Sequence, residues 1–375
     1  MATATRFPEI RDNLGISNGL FGTYLTLGGI GALLAFIFVG NLVHKFGIKP
    51  IISLASSGLF LSMAVVPHFR SSFYWLILNI LIGFFWASFL IANNGQAIHR
   101  QQEVGELILP KLHGLWSLGA LITSIFAIII TPFVTLAWHI GILMLAMWLL
   151  TMYGIQKSTP YFIDKSDEDD AVPNITLSGL VVAFKSQPLV ATAMILAMQI
   201  EFSTQDWSAI YVKDSIGMSA ATSIYGYTFF IAAMIILRLN MNRALRIFSE
   251  HQLLNYLPKI GGAGFIICIS GATYFSETNQ KLGFTLALVG FAFAGFGSSI
   301  IVPTLYGIAF RRSSLPSSVV VAQLGFVTSI IAFFTKIGIS WVVEISSVTV
   351  GLMIPGLMLV ATAKFANLGQ ESKVK

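Results

Sequence analysis

An eight-residue phrase occurs twice in this chain. Ile10-Arg11-Asp12-Asn13-Leu14-Gly15-Ile16-Ser17 returns as Val212-Lys213-Asp214-Ser215-Ile216-Gly217-Met218-Ser219, 202 residues further on. Each copy leads into an apolar run with an early glycine, Gly22 and Gly226, and a basic connector recurs at nearly the same offset, Lys45 against Arg243. The chain therefore reads as a tandem duplication, in which one copy can be used to read the other. A long apolar stretch, roughly 189–211, precedes the second copy, whereas only nine residues precede the first. The expectation is that the first half lacks its opening helix.

Composition narrows the class. Hydrophobic residues make up 55% of the chain and charged residues only 10%, against about 25% charged in soluble domains. That balance belongs in a lipid bilayer. The net charge of +6 comes from basic residues that sit singly between apolar runs, a topological pattern rather than a phosphate-binding stripe, so no nucleic-acid partner is expected. Cys268 is the single cysteine, which excludes a disulfide framework and a cysteine-rich metal site. No metal or cofactor is expected. The first 18 residues contain Arg6, Glu9, Arg11 and Asp12 and no apolar core, so no cleavable signal peptide is read there. His-Glu-x-x-His, P-loop and Gly-x-Ser-x-Gly motifs are all absent, which argues against an enzyme.

Eleven apolar spans are long enough to cross a ~30 Å hydrocarbon layer as helices: about 19–43, 50–67, 73–93, 112–132, 134–154, 189–211, 220–239, 257–274, 282–308, 317–335 and 346–365. The polar interval 155–188 holds Asp164, Asp167, Glu168, Asp169 and Asp170, then a mildly amphipathic stretch, 177–185. It reads as a linker with a helix lying on the membrane surface. The expected organisation is a five-helix bundle over 1–154, the linker, and a six-helix bundle over 189–375: an all-α polytopic membrane protein of two pseudo-symmetric bundles. Taking the loops alternately, sixteen of the 22 lysines and arginines fall on the side of the linker and six on the other. That asymmetry places the linker and C-terminus in the cytoplasm.

The first connector, Gly40-Asn41-Leu42-Val43-His44-Lys45-Phe46-Gly47-Ile48-Lys49, resembles the loop signature of the major facilitator superfamily. Gly40, Leu42, Lys45, Gly47 and Lys49 match it, and His44 stands where an aspartate is usual. The second copy is more worn, with Asn242 at the acidic position and Arg243 at the basic one. Arg6-Phe7-Pro8-Glu9-Ile10-Arg11, His113-Gly114-Leu115-Trp116-Ser117-Leu118-Gly119 and Glu201 with Asp206-Trp207-Ser208 look like a bacterial branch near the fucose permeases. The glycine-proline signature of many drug–proton antiporters is absent from 112–132. The resemblance implies the major facilitator fold in a bacterial inner membrane, working as a single copy. It also implies secondary transport of a small polar solute, sugars included, by alternating access with proton coupling. In that family the first, fourth, seventh and tenth of twelve helices line the cavity, which maps here to 73–93, 189–211 and 282–308. A solute sensor without transport, or a drug or metabolite efflux pump, are the alternatives.

Glu201 is the most informative single residue. It lies thirteen residues past Pro188, about 20 Å up a helix and so near the midplane, where carboxyls usually mark an ion or substrate path. It is the proton-coupling candidate, with a neutral, satisfied carboxyl as the alternative. Gln205, one turn on, shares its face, and Asp206 is expected to cap or pair at the outer mouth. Asn94 and Gln96, with Asn93, are read either as a hydrogen-bonding surface of the cavity or as an ordinary helix exit. His113, Gln323, and the group Ser298, Ser299 and Tyr306 around Pro303 are further cavity candidates, with Pro303 expected to break its helix. Lys336 is expected to snorkel to the interface. Gly40, His44, Lys45, Gly47, Lys49, Asn242 and Arg243 form the candidate cytoplasmic gate, in which the basic groups bond helix C-terminal carbonyls. Gly22, Thr26, Gly29, Leu33 and Gly40 share one helical face, either for sliding against the other half or for plain packing.

Overall fold

A computed structural model of the chain describes residues 3–104, 108–162, 187–313 and 317–370. Among the described residues the chain is helical throughout, without strands. A short helix α1 (Phe7–Leu14) precedes α2 (Asn18–Phe46), α3 (Ile48–Val65), α4 (Ser72–Val104), α5 (Ile108–Ile130) and α6 (Leu136–Ser158). The second half comprises α7 (Pro188–Ile210), α8 (Tyr225–Leu239), α9 (Glu250–Ser276), α10 (Gln280–Ser298), α11 (Ile301–Arg311), α12 (Ser317–Ile345) and α13 (Val348–Thr362). The expected surface helix at 177–185 lies outside the described residues.

Nine of the described helical stretches are long and apolar enough to cross a membrane, with α10 and α11 together forming one of them, and Leu115–Ile130 is a shorter apolar helix. The 23-residue α7 is long enough but is not among the nine. Gln199, Glu201, Gln205 and Asp206 dilute its apolar content. Large apolar side chains cover the outside of the molecule: Ile37, Leu54, Ile122, Trp138 and Ile236 are each more than half exposed. In water such a surface would aggregate. In lipid it is the required one, since helices satisfy their own backbone groups. The protein is a polytopic membrane protein.

The duplicated phrase folds the same way twice. Each copy ends a helix at a glycine with positive φ, Gly15 at 62° and Gly217 at 76°, a conformation that costs glycine least. Two residues later a serine caps the next helix: Ser17 Oγ accepts from Leu20 N and Ser219 Oγ from Thr222 N. This is the N-cap arrangement that serine favours.

Within the first half, α4 packs on α2, α3 and α5, and α6 packs on α3. Within the second, α10 packs on α8 and α9, and α13 on α7 and α9. Two helix pairs join the halves most extensively, α2 with α12 and α5 with α8. Displaced by the repeat offset, α2 falls on α8 and α5 on α12. The two cross-contacts are therefore one contact made twice, as a pseudo-two-fold axis requires. The α2 contact is close: a Cβ on Gly22 would lie 2.1 Å from Ser340 Oγ and 2.8 Å from the Trp207 ring. This is the small-residue approach that membrane helices use.

The entry segment is pinned by a buried charge. Arg6, 2% exposed, pairs with Glu9, donates to Thr131 Oγ1 at 3.1 Å and meets His139 Nδ1 at 3.0 Å. It ties α1 to the Thr131-Pro132-Phe133 turn between α5 and α6.

The first connector departs from expectation. Helix α2 runs unbroken through Gly40 to Phe46, and the turn is the single residue Gly47, at φ 79°. Gly40 is an ordinary helical residue with open space beside it.

Candidate functional site

Helix α7 begins at Pro188, whose missing N–H is no loss in a first turn. It ends in a π-turn, Tyr211–Ser215. It packs against α8, α10, α11, α12 and α13, so its polar groups face protein rather than lipid. Its two acids each have a basic partner on another helix. Arg238 on α8 places Nη2 3.5 Å from Glu201 Oε2. Lys336 on α12 places Nζ 2.7 Å from Asp206 Oδ2, and its ammonium lies 5.8 Å from the Phe202 ring centroid. Asp206 is buried, while Glu201 and Arg238 are each about a quarter exposed at the side chain.

The Arg238 guanidinium is held from a third helix. The expected break at Pro303 is present: α10 stops at Ser298 and α11 starts at Ile301. Proline has no N–H to give the carbonyl four residues back, and that carbonyl belongs to Ser299. Arg238 Nε donates to it at 2.8 Å. One missing backbone donor thereby fixes the guanidinium beside Glu201. Tyr227, buried about three turns before Arg238 on the same side of α8, lies within electrostatic range of both Glu201 and Arg238.

A second feature of α7 stands out by comparison. Serines and threonines in the other helices commonly donate to the carbonyl four residues earlier, as Thr26, Ser56, Thr228, Ser298, Thr328 and Ser340 do. On α7, Ser203, Thr204 and Ser208 are buried with no hydrogen-bond partner among the described residues, and neither amide atom of Gln199 has one. An unsatisfied buried polar group costs about 1–3 kcal/mol, so four on one helix are unlike ordinary packing.

Other candidates scatter. Ser298 and Ser299 are buried near the helix break, but their hydroxyls bond within their own helix, to the Ala294 and Phe296 carbonyls. Tyr306 stacks on Phe310. Gln205 is half-buried on the Glu201 face, and Asn94 is half-buried on α4. The Gln96 amide donates to the Tyr161 carbonyl, just past the end of α6, at 2.6 Å. Two corrections concern basic groups. Lys336 does not snorkel but pairs with Asp206, and Arg238, counted as a topological charge, is part of the Glu201 cluster. The gate residues are apart from this cluster. Lys45 and Lys49 are exposed, with Lys45 over the Phe46 ring at 5.2 Å, and Arg243 is exposed on the short helix Met241–Ile247. The side chains of His44, His113, Asn242 and Gln323 lie outside the described residues. Among the described residues no cluster of three or more potential metal ligands occurs.

Helix α7 thus joins two acid–base pairs with buried polar groups that have no partner among the described residues. An uncharacterised MFS-type transporter of Yersinia pestis is 24% identical over 371 residues, covering 98% of this chain and 91% of its own. An uncharacterised transporter of Sinorhizobium fredii is 25% identical over 336 residues, covering 86% and 81%. The crystal structure of the nucleoside transporter NupG matches with a TM-score of 0.70 at 13% identity, covering 98% of this chain and 95% of that one. That of a D-xylose–proton symporter matches at 0.67 and 12%, covering 97% and 93%. The sequence profile of the Major Facilitator Superfamily matches residues 1–343. The chain is a transporter, not an enzyme, and belongs to the major facilitator superfamily.

Proposed function

We propose that the protein carries a small neutral polar solute, in the size range of a pentose, hexose or nucleoside, together with a proton. The Glu201–Arg238 pair carries this reading. A carboxylate at mid-depth in a membrane helix is costly unless paired, and at 3.5 Å this pair is looser than a tight ion pair. When Glu201 is ionised it holds Arg238. When it takes a proton the attraction falls away, and the guanidinium is left to the Ser299 carbonyl and to any acceptor on a solute. Binding of solute and binding of a proton thereby favour one another. Gln199, Ser203, Thr204 and Ser208 supply hydroxyls and an amide whose hydrogen-bonding capacity is unused among the described residues. That chemistry suits a solute rich in hydroxyls. Access alternates as the two halves rock about the α2–α12 and α5–α8 contacts. By the lysine and arginine asymmetry, the ends carrying the linker face the cytoplasm and those carrying the phrases face outward.

The test is uptake by the full chain in liposomes. Radiolabelled xylose, glucose, fucose and uridine are offered with an inward proton gradient. One of them is expected to accumulate above its equilibrium level. Equilibration of none, or equilibration without any effect of the gradient, would overturn the proton-linked reading.

A further inference from the structure

Past its first turns, helix α7 is buried on every side but one. Between residues 197 and 212, only Met198, Glu201, Phe202 and Gln205 are half-buried, and the rest are buried. Their spacing, i, i+3, i+4 and i+7, is one stripe of a helix. A cation stands at each edge of that stripe. Arg238 pairs with Glu201, and the Lys336 ammonium lies 5.8 Å from the Phe202 ring centroid. Lys336 is on the face of α12 that meets the first half. Phe333, three residues before it, and Ser340, four after it, are the side chains that Gly29 and Gly22 of α2 approach. The two ion pairs differ in kind. In Arg238–Glu201, at 3.5 Å, both side chains are partly open, 28% and 25% exposed. In Lys336–Asp206, at 2.7 Å, the lysine is 24% exposed but the acid only 8%.

We infer that Asp206 is a specificity-determining residue: it masks the charge of Lys336, so that the path admits a neutral polyhydroxy solute and rejects the corresponding acid. The inference deepens the proposed function and rests on it. A sugar and its acid share nearly every hydroxyl, so charge is what separates them. An ammonium has three N–H groups, and one suffices for Asp206. Paired, Lys336 can donate to a hydroxyl without presenting a net charge. Unpaired, a cation in a cleft of low dielectric focuses its field and gathers anions. Glu201 masks Arg238 in the same way until it takes its proton. Asp206 is buried and held closer, so its mask is the standing one. A pair that only joined α7 to α12 would have no reason to leave its cation open to the path, and two apolar side chains would join them as well.

The test is competition by the acid. The full chain is reconstituted in liposomes, and exchange of a labelled solute is followed at about pH 8 without an imposed gradient. The label is whichever of xylose, glucose, fucose and uridine the parent moves. The competitor is its acid: xylonate, glucuronate, fuconate or uridine monophosphate. For half-inhibition the parent is expected to need about tenfold more acid than unlabelled neutral solute. Asp206→Asn should lower that ratio about tenfold, and adding Lys336→Met should restore it. Asp206→Asn strands a cation and is the variant at risk of not folding, so a second arm exchanges the pair. Asp206→Lys with Lys336→Asp keeps the attraction and should reject the acid as well as the parent does. The masking role is overturned by an acid that competes equally with its neutral partner in the parent, or by a ratio that Asp206→Asn leaves unchanged. A gain that persists without Lys336, or an exchanged pair that admits the acid, overturns it too. In each of these cases the labelled solute still exchanges and the transport reading stands. A parent that exchanges none of the four solutes sinks that reading, and the masking role with it.

Discussion

Arg238 and Gly22 carry the clearest residue-scale consequences. Arg238 holds a carbonyl with Nε and a carboxylate with Nη2, two bonds that its fork allows and that the single ammonium of lysine does not reproduce. Arg238→Lys is therefore expected to fold normally but to lower the rate of solute uptake about tenfold, the equivalent of about 1.4 kcal/mol. Unchanged uptake would mean the guanidinium geometry is not used. Gly22 is a packing matter. A methyl there meets Ser340 and Trp207 inside any tolerable contact, so Gly22→Ala should destabilise by about 1–3 kcal/mol, as overpacking does, seen as a lower melting temperature in detergent. The sequence already showed Gly22 on a small-residue face and Glu201 near the middle of its helix. It did not show Arg238 or Lys336 in their roles, because a lone basic residue near the end of an apolar run looks the same whether it anchors in headgroups or turns inward. Only the third partner, the Ser299 carbonyl and the Phe202 ring respectively, separates the two cases, and neither is adjacent in sequence.

At the scale of elements, the instructive helix is the broken one. The α10–α11 break was legible because proline in a long apolar span has few other readings. Its purpose was not, since the carbonyl it frees is claimed by a helix some sixty residues away in sequence. Pro303→Ala returns an N–H four residues after Ser299 and sets the backbone in competition with Arg238. The expected result is a melting temperature equal to or above the parent's and a slower uptake. A loss of stability with full uptake would contradict this account of the break. Helix α7 was legible as a helix, although its polar content leaves it short of the apolarity of its neighbours. The connector after α2 was read too broadly: the pattern ran from Gly40 to Lys49, whereas the turn is Gly47 alone, and which glycine bends depends on backbone dihedrals that only the fold displays.

For the whole molecule, duplication was visible in the chain and the meeting of its copies was not. Two similar local motifs carry no information about which surfaces they share. The copies meet through their charges, Arg11 with Asp214 and Lys213 with Asp12. Burial pushes the Asp12 carboxyl up, but bonds from Lys213 and Arg11 outweigh it and leave the group below the ordinary carboxylate range. Burial likewise lowers Arg11, and its bonds to Asp214 and Asp12 override that and raise it. A depressed acid contributes its stabilisation in full above its unpaired pKa, about 3.9, and loses it as pH falls through the lowered, paired value. The contribution of these pairs to the melting temperature in detergent, read as the difference between the parent and Asp12→Asn, should accordingly stay constant from pH 5 to pH 8 and fall away only in strongly acid solution.

Coupling at Glu201 is the centre of the account, and proton movement reports it most directly. The full chain is reconstituted in liposomes carrying a pH-sensitive dye, without an imposed gradient, and the solute identified by uptake is added outside. The parent is expected to acidify the lumen as solute enters, and Glu201→Gln is expected to exchange solute while the lumen stays at its starting pH. Acidification by Glu201→Gln equal to that of the parent would contradict the assignment.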